Sequence, residues 1–281
     1  MNNLIKKHAK SFYWASFFLS KPVFNKCSSL YNFCRTLDDI VDDNKKLEIK
    51  KQNFLKFKKD FINKDNDNPI IKEMWLIIDK EKISKQVVMD LFDGVQTDLE
   101  EKVKINSKKE LLIYSYRVAG TVGLMMSKIL KVNSREALKG AIDLGIAMQL
   151  TNIARDVCED KARNRQYVNH DFYSIKEIIN ESQIFYNKSF RSISSIPIKS
   201  RFSVIVARRI YRKIGDYILK QKNIENYNNA GKIYVPVFEK IIQTFLSFID
   251  FIKLLFVKEI NYENHTNHTI LEKEVNLNER I

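Results

Sequence analysis

Glycine, proline and cysteine are all scarce in this chain: 7, 4 and 3 of 281 residues. So little turn punctuation argues against a sandwich, a barrel or a glycine-rich nucleotide fold. Cys27, Cys34 and Cys158 show no CxxC spacing, and their odd number argues against a disulfide framework. The opening MNNLIKKHAK has charge but lacks the apolar h-region of a secretory signal. Together these absences point to a reducing, cytoplasmic compartment. Without secretion the Asn-x-Thr patterns at Asn264 and Asn267 carry no meaning, and His265 and His268 read as tail residues rather than metal ligands. Acids are also in deficit, 34 against 48 Lys and Arg, for a net charge of +14 and a pI near 9.5. Such a balance suits an anionic partner: nucleic acid, a membrane surface or a phosphorylated substrate. The basic excess is spread through Lys-rich helices with no arginine-rich arm or nucleic-acid module, which sets nucleic acid aside.

What is present is helical periodicity. Hydrophobic residues make up 44% of the chain and aromatics 11%, enough for a sizeable core. Helices are expected over 3–19, 23–43, 47–63, 69–79, where Asn68-Pro69 is a start signal, and 84–100 from Ser84. Ser107-Lys-Lys-Glu110 reads as a capping box before Tyr114, and Ser174-Ile-Lys-Glu177 as another. Asn133 or Ser134 starts a helix through Asp160, Pro197 one over 198–222, and Lys232–Phe256 is the last apolar stretch. Its run IIQTFLSFIDFIKLLFV is broken by Gln243, Asp250 and Lys253, so it reads as a core helix rather than a membrane span. Peripheral contact with a bilayer surface is left open. The reading is all-α and single-domain over residues 1–260, with 261–281 a polar, poorly ordered tail. Nothing in the sequence fixes an oligomeric state.

Two acidic stripes stand out. In GIAMQLTNIARDVCEDKARNRQY (145–167), Gln149, Asn152, Asp156 and Asp160 follow at offsets of three, four and four. On one helix they fall within roughly 80° of arc and about 16 Å of length. Two carboxylates one turn apart, with an amide before them, make a hard-oxygen surface suited to Mg²⁺, with Mn²⁺ as an alternative. Arg155, Lys161, Arg163 and Arg165 lie close by, as phosphate binding requires. Alone, a solvated helix face would explain this stripe equally well. The second stripe is Arg35-Thr-Leu-Asp38-Asp39-Ile-Val-Asp42-Asp43, with Arg35, Asp38 and Asp42 on one face and four acids within six residues. Those acids repel one another unless counter-ions are present. Paired stripes with basic neighbours suggest a cage for Mg²⁺ and a diphosphate.

Arg35–Asp43, Tyr114–Met126 (YSYRVAGTVGLMM) and Gly145–Tyr167 resemble the three signatures of the squalene/phytoene synthase family, and His8–Ser16 (HAKSFYWAS) resembles its N-terminal flap. The likeness runs from about Ile5 to Asp171 and is weaker through Lys232. It implies a helical isoprenoid-synthase fold with a central cavity and the two stripes facing across its mouth. It implies metal ligation by Asp38, Asp42, Asn152, Asp156 and Asp160, and Tyr114 at the reaction site. His8, Lys10 and Ser11 would touch diphosphate, with Phe12 closing over the chain. Arg35, Gln149, Arg155, Arg165 and Tyr167 would hold diphosphate and metal, and LFDGVQTDLE (91–100) offers Gln96 and Asp98 as supporting groups. Gly120 and Gly123 lie inside a helix, where each costs about 1 kcal/mol relative to Ala. Close packing would explain them, as would a locally opened helix lined by Val118, Ala119, Val122 and Leu124. The family's GRxYLPxD stands here as Asn164-Arg165-Gln166-Tyr167-Val168-Asn169-His170-Asp171, without its Gly and Pro. Lys232 occupies a place where Arg is common, keeping the charge but not the fork.

The resemblance further implies head-to-head coupling of two prenyl diphosphates through a cyclopropylcarbinyl diphosphate. The bacterial phytoene branch is the better match, which implies geranylgeranyl diphosphate as substrate and phytoene as product. Farnesyl diphosphate giving squalene or dehydrosqualene is the alternative. A non-catalytic scaffold relative should have lost some of the acids, and all are intact. A terpene cyclase would lack YRVAGTVGLMM and the Arg165/Tyr167 pair.

Overall fold

The structure, a computed structural model, describes residues 4–257 and 266–281. Its first helices are α1 (Leu4–His8) and α2 (Lys10–Ser16). The single helix expected over 3–19 is broken at Ala9, whose φ of −126° and ψ of 59° are not helical. Then come α3 (Lys21–Asp42), α4 (Leu47–Ile62), α5 (Pro69–Glu81) and α6 (Lys85–Gln96). Pro22 sits in the first turn of α3, where a missing N–H costs nothing, and so starts that helix. Asn68 caps α5 by accepting from the Ile70 and Ile71 N–H groups, as its sequence signal indicates. Along α3 the residues Leu30, Phe33, Leu37 and Val41 are buried at helical spacing. Phe33 packs against Phe57, Phe61 and Phe92 at centroid distances of 5.4–5.9 Å. Burying that stripe turns the Arg35, Asp38 and Asp42 stripe the other way, toward the interior cavity.

A two-residue parallel ladder joins β1 (Val103–Lys104) to β2 (Arg165–Gln166). It fastens the Arg165 segment to the loop that follows α6. Asn164, just before it, has φ of 58°. That left-handed conformation is one Asn tolerates, so the loss of the family's glycine costs little here.

α7 (Lys108–Ser115) opens with Ser107 Oγ accepting from Glu110 N–H, while the Glu110 carboxylate accepts from Asn106 N–H, one residue earlier than in a standard box. It continues as a π-helical stretch, Tyr116–Gly120, into α8 (Thr121–Ile129), and α9 (Arg135–Arg155) follows. The opened helix expected around Gly120 is therefore present, but close packing accounts for Gly123: a Cβ there would stand 2.3 Å from the Ala141 carbonyl oxygen. Leu124 faces the core, not the cavity. The helix expected through Asp160 breaks at Asp156 (φ −105°, ψ 15°) before α10 (Val157–Ala162). The break is pinned by the Tyr227 hydroxyl, 2.7 Å from the Arg155 carbonyl and 3.3 Å from the Val157 nitrogen.

α11 (Phe172–Ser189) starts earlier than its expected box at Ser174: Asp171 is the cap, and its carboxylate accepts from both the N–H and the hydroxyl of Ser174. A carboxylate on a helix N-terminus outcompetes a hydroxyl one turn later. α12 (Ile198–Leu219), α13 (Ile224–Asn229) and α14 (Val237–Leu255) follow. α14 is not the core helix expected from its composition; most of its large apolar residues are exposed. The tail also differs from expectation. Residues 266–281 form α15 (Thr266–Val275) and α16 (Leu277–Arg280), and Leu271, Val275 and Leu277 are buried in the core. Their spacing gives a mostly polar segment one apolar edge. His268 bonds Asp143 at 2.8 Å in a fully buried pair, and Arg280 reaches Asp90, which also accepts from the Tyr116 hydroxyl. His265 lies outside the described residues.

Candidate active site

Between α3, α8, α9 and α12 lies a cavity of about 800 Å³, a size that accommodates a large ligand. Both acidic stripes open onto it: Asp38 and Asp42 from α3, and Asn152, Asp156 and Asp160 from α9, the break and α10. Arg35, Gln149, Arg155, Arg165, Tyr114 and Tyr167 line the same space, with His8, Phe12, Val118 and Gly123. Lys10 and Ser11 do not. Lys10 is exposed, because the break at Ala9 changes which faces of the flap point inward. Gln96 is exposed and lies toward Lys58, and Lys161 lies beside His170, both away from the cavity.

Cations already hold part of each stripe. Arg165 reaches Asp42 at 2.8 Å and Arg163 reaches its other oxygen at 3.1 Å. Arg155 grips Asp156 with two bonds of 2.8 and 2.6 Å, and Lys232 lies 3.5 Å from Asp156 and 2.6 Å from Glu159. Asp38 and Asp160 have no side-chain hydrogen-bond partner among the described residues. Asp38 is open to the cavity yet crowded by protein; burial and then the Asp42 charge push its carboxyl up to about 7. Burial and the Asp156 charge do the same to Asp160, again to about 7. Burial of Asn152 leaves its Oδ1 without a partner. These are oxygens short of a cation. Among the described residues no three His, Cys, Asp or Glu side chains cluster as a self-sufficient metal site. The donor set is instead divided between two walls, which fits an ion bridged by ligand oxygens.

At one wall Tyr114 and Tyr167 stack, with centroids 4.7 Å apart. Tyr167 donates to Asp98 Oδ1 at 2.5 Å, and the Tyr114 hydroxyl lies 3.0 Å from both Asp98 Oδ2 and the Tyr167 oxygen. Arg165 donates to the Asp98 carbonyl at 3.4 Å. Burial, then the Asp98 charge, holds both phenols far above their ordinary range, so they stay protonated. Of the two supporting groups read from LFDGVQTDLE, Asp98 is thus the one that organises the site. Sequence reasoning missed Lys7, Tyr31 and Tyr211, which also line the cavity, and Tyr227, which shapes the break at Asp156. Tyr31 stands one turn before Arg35 on the same helix face, a spacing that does signal it. Lys7, Tyr211 and Tyr227 have no such signal, because the fold brings each in from a different helix. Deeper in, Val122, Met126, Leu144 and Met148 supply an apolar wall.

A helical shell around an apolar cavity, with acidic stripes and arginines at its polar end, defines a helical isoprenoid-synthase fold. The chain belongs to the squalene/phytoene synthase family, whose model matches residues 5–174. It is 27% identical over 240 residues to a 15-cis-phytoene synthase of Pantoea ananas, covering 74% of this chain and 77% of that one. It is 27% identical over 267 residues to phytoene synthase 2, chloroplastic, of Solanum lycopersicum, covering 84% of each. A dehydrosqualene synthase solved with a ligand superposes with a TM-score of 0.74 at 26% identity, over 88% of this chain and 93% of that chain. A squalene synthase from Alicyclobacillus acidocaldarius gives 0.63 at 17% identity, over 78% and 91%, a likeness of fold.

Proposed function

We propose that this chain is a prenyltransferase that couples two geranylgeranyl diphosphates head to head to give phytoene, a carotenoid precursor. The observation that carries the reading is the pair of half-neutralised acidic stripes over one apolar cavity, in a chain whose relatives include phytoene synthases. In the reaction, one diphosphate leaves, and the allylic carbon bonds to the other molecule's double bond. Proton loss closes a cyclopropane. The second diphosphate then leaves, and rearrangement with loss of another proton yields the hydrocarbon.

Asp38 and Asp42 on one wall, and Asn152, Asp156 and Asp160 on the other, would hold Mg²⁺, and the unpartnered Asn152 oxygen supports that assignment. When bound, Mg²⁺ acts as a Lewis acid on the leaving diphosphate. Arg35, Arg155, Arg163, Arg165 and Lys232 supply cations to diphosphate oxygens, with bidentate geometry available to the arginines. Arg155 and Arg165 can exchange their present carboxylates for phosphate as the ligand enters. Val118, Val122, Met126 and Phe12 bind the prenyl chains and keep water from the cation. Asp98 holds the Tyr114 and Tyr167 hydroxyls in place, so the stacked rings offer π-density beside an allylic cation without releasing a nucleophilic phenolate. Peripheral contact with a bilayer belongs to the same reading, since substrate and product both partition there.

Purified protein with Mg²⁺ is incubated with the fifteen- or twenty-carbon diphosphate, with and without NADPH, and the hydrocarbon is extracted. Phytoene formed without NADPH is expected. NADPH-dependent squalene from farnesyl diphosphate would overturn the product assignment.

A further inference from the structure

α14 is built inside out. A helix on a protein surface normally turns its polar face to water. Here the buried positions are Lys240, Gln243, Ser247, Asp250 and Leu254. Arg209 of α12 donates to Gln243 Oε1 at 3.0 Å and to Asp250 Oδ2 at 2.5 Å, and Trp14 Nε1 donates to Thr244 Oγ1 at 3.0 Å. These bonds, made from two other helices, fix the rotation of α14. From Val237 to Phe256 every exposed side chain is apolar except Lys253. Phe238, Phe245, Phe248, Ile252 and Phe256 are between 52% and 77% exposed. Scattered exposed hydrophobics are ordinary, but a continuous face held outward by buried polar bonds marks a contact surface.

The surface continues toward the cavity. Phe18 packs on Phe202 at 4.9 Å, and Phe202 on Phe248 at 4.5 Å, joining α14 to the turn after α2. In that turn Phe17 and Phe18 are exposed, while Ser16 and Leu19 on either side of them line the cavity. One side of a four-residue turn therefore meets the apolar patch and the other meets the cavity. α12 does the same, with Val204 and Ala207 toward the cavity and Phe202 toward α14. Charge selects the occupant. No acid is exposed on the outward face of α14, and Lys253, Lys199 beside the exposed Ile198, and Lys21 just beyond the turn are all exposed. Two copies of a chain with net charge +14 repel, whereas an anionic lipid surface attracts both the lysines and the apolar face.

We propose that the outward face of α14, with Phe17 and Phe18, docks on a bilayer surface containing anionic lipid and sets the α2 turn against the leaflet as a portal for prenyl chains. The portal role rests on the prenyl-coupling reading; the docking does not. In the test, the full-length chain is sedimented with vesicles of phosphatidylcholine alone or mixed with phosphatidylglycerol. Binding to the mixed vesicles is expected, weakening as salt rises. A variant carrying Phe238→Ser, Phe245→Ser and Ile252→Ser should lose about ten-fold or more in partition coefficient, because membrane affinity follows buried apolar area. Its hydrocarbon output from detergent-dispersed substrate should match wild type. As a measurement that leaves this face intact, a Trp75→Phe chain keeps Trp14 alone against α14, and brominated lipids should quench it. Absence of wild-type sedimentation, unchanged sedimentation of the triple variant, or an unquenched Trp14 would each overturn the docking. A wild-type dimer that the triple substitution dissociates, with no vesicle binding, would assign the face to a second copy and overturn it too. Vesicle binding through this face by a protein that makes no hydrocarbon from any prenyl diphosphate would support the docking and overturn the prenyl reading.

Discussion

Gly123 is where two effects of opposite sign can be weighed. It lies inside α8, where Ala is favoured over Gly by about 1 kcal/mol. Propensity alone makes Gly123→Ala stabilising. Packing opposes it: the new Cβ would stand 2.3 Å from the Ala141 carbonyl oxygen and 3.1 Å from its carbon. Both atoms are backbone of α9 and cannot rotate aside. To restore ordinary contact, α8 and α9 must part by about 1 Å, a disturbance of the kind that costs about 1–3 kcal/mol in a packed core. With immovable neighbours the upper end applies, so the net loss is about 1–2 kcal/mol after the propensity gain. For a domain of this size that lowers Tm by about 2–4 °C. Gly120→Ala is the control. Its Cβ would meet Tyr116 Cδ2 at 3.0 Å and Ile142 Cγ2 at 3.2 Å, side-chain atoms able to yield a few tenths of an ångström. It should stay within about 1 kcal/mol of wild type. Calorimetry of both variants decides the matter: Gly123→Ala melting at or above wild type, or both variants falling equally, would refute the packing argument.

Asp38→Asn or Asp156→Asn should cut turnover by orders of magnitude with helical circular dichroism unchanged; near-normal turnover in either would remove that acid from the metal cage. The raised carboxyls of Asp38 and Asp160 give a pH dependence of definite sign. Each holds its proton to about 7 in the fold against 3.8 as the ordinary value, so the metal-free protein loses stability as pH rises through that window. Metal binds the ionised forms, so its affinity climbs through the same window. The Tm increase produced by Mg²⁺ should therefore be larger at pH 8 than at pH 6, measured by calorimetry. An equal or reversed difference would contradict the assignment of these two carboxyls.

Much of the fold was legible because its signals are local. Asn68-Pro69 and Ser84 cap their helices within three residues, and the Arg35, Asp38 and Asp42 stripe needs only helical periodicity. The site departs from local reading where tertiary partners decide. Asp98 organises Tyr114 and Tyr167 from 16 and 69 residues away. The stripe from Gln149 to Asp160 is bent at Asp156 by a tyrosine hydroxyl on α13. Periodicity in α14 reveals an apolar face but not whether it turns inward; Arg209, on another helix, settles that. In the tail, three apolar residues among polar ones were too few to register, yet Leu271, Val275 and Leu277 suffice to dock it.

The central claim is that the two stripes hold a diphosphate between them through bridging divalent metal. A crystal structure of the protein with Mg²⁺ and an unreactive thiolo-diphosphate analogue of geranylgeranyl diphosphate tests it most directly. Metal density is expected to touch Asp38 or Asp42 on one wall and Asn152, Asp156 or Asp160 on the other. Arg155 or Arg165 should turn from carboxylate to phosphate, and the prenyl chain should run past Val118 and Met126. A diphosphate bound with no metal at either stripe, or bound outside this cavity, would contradict it.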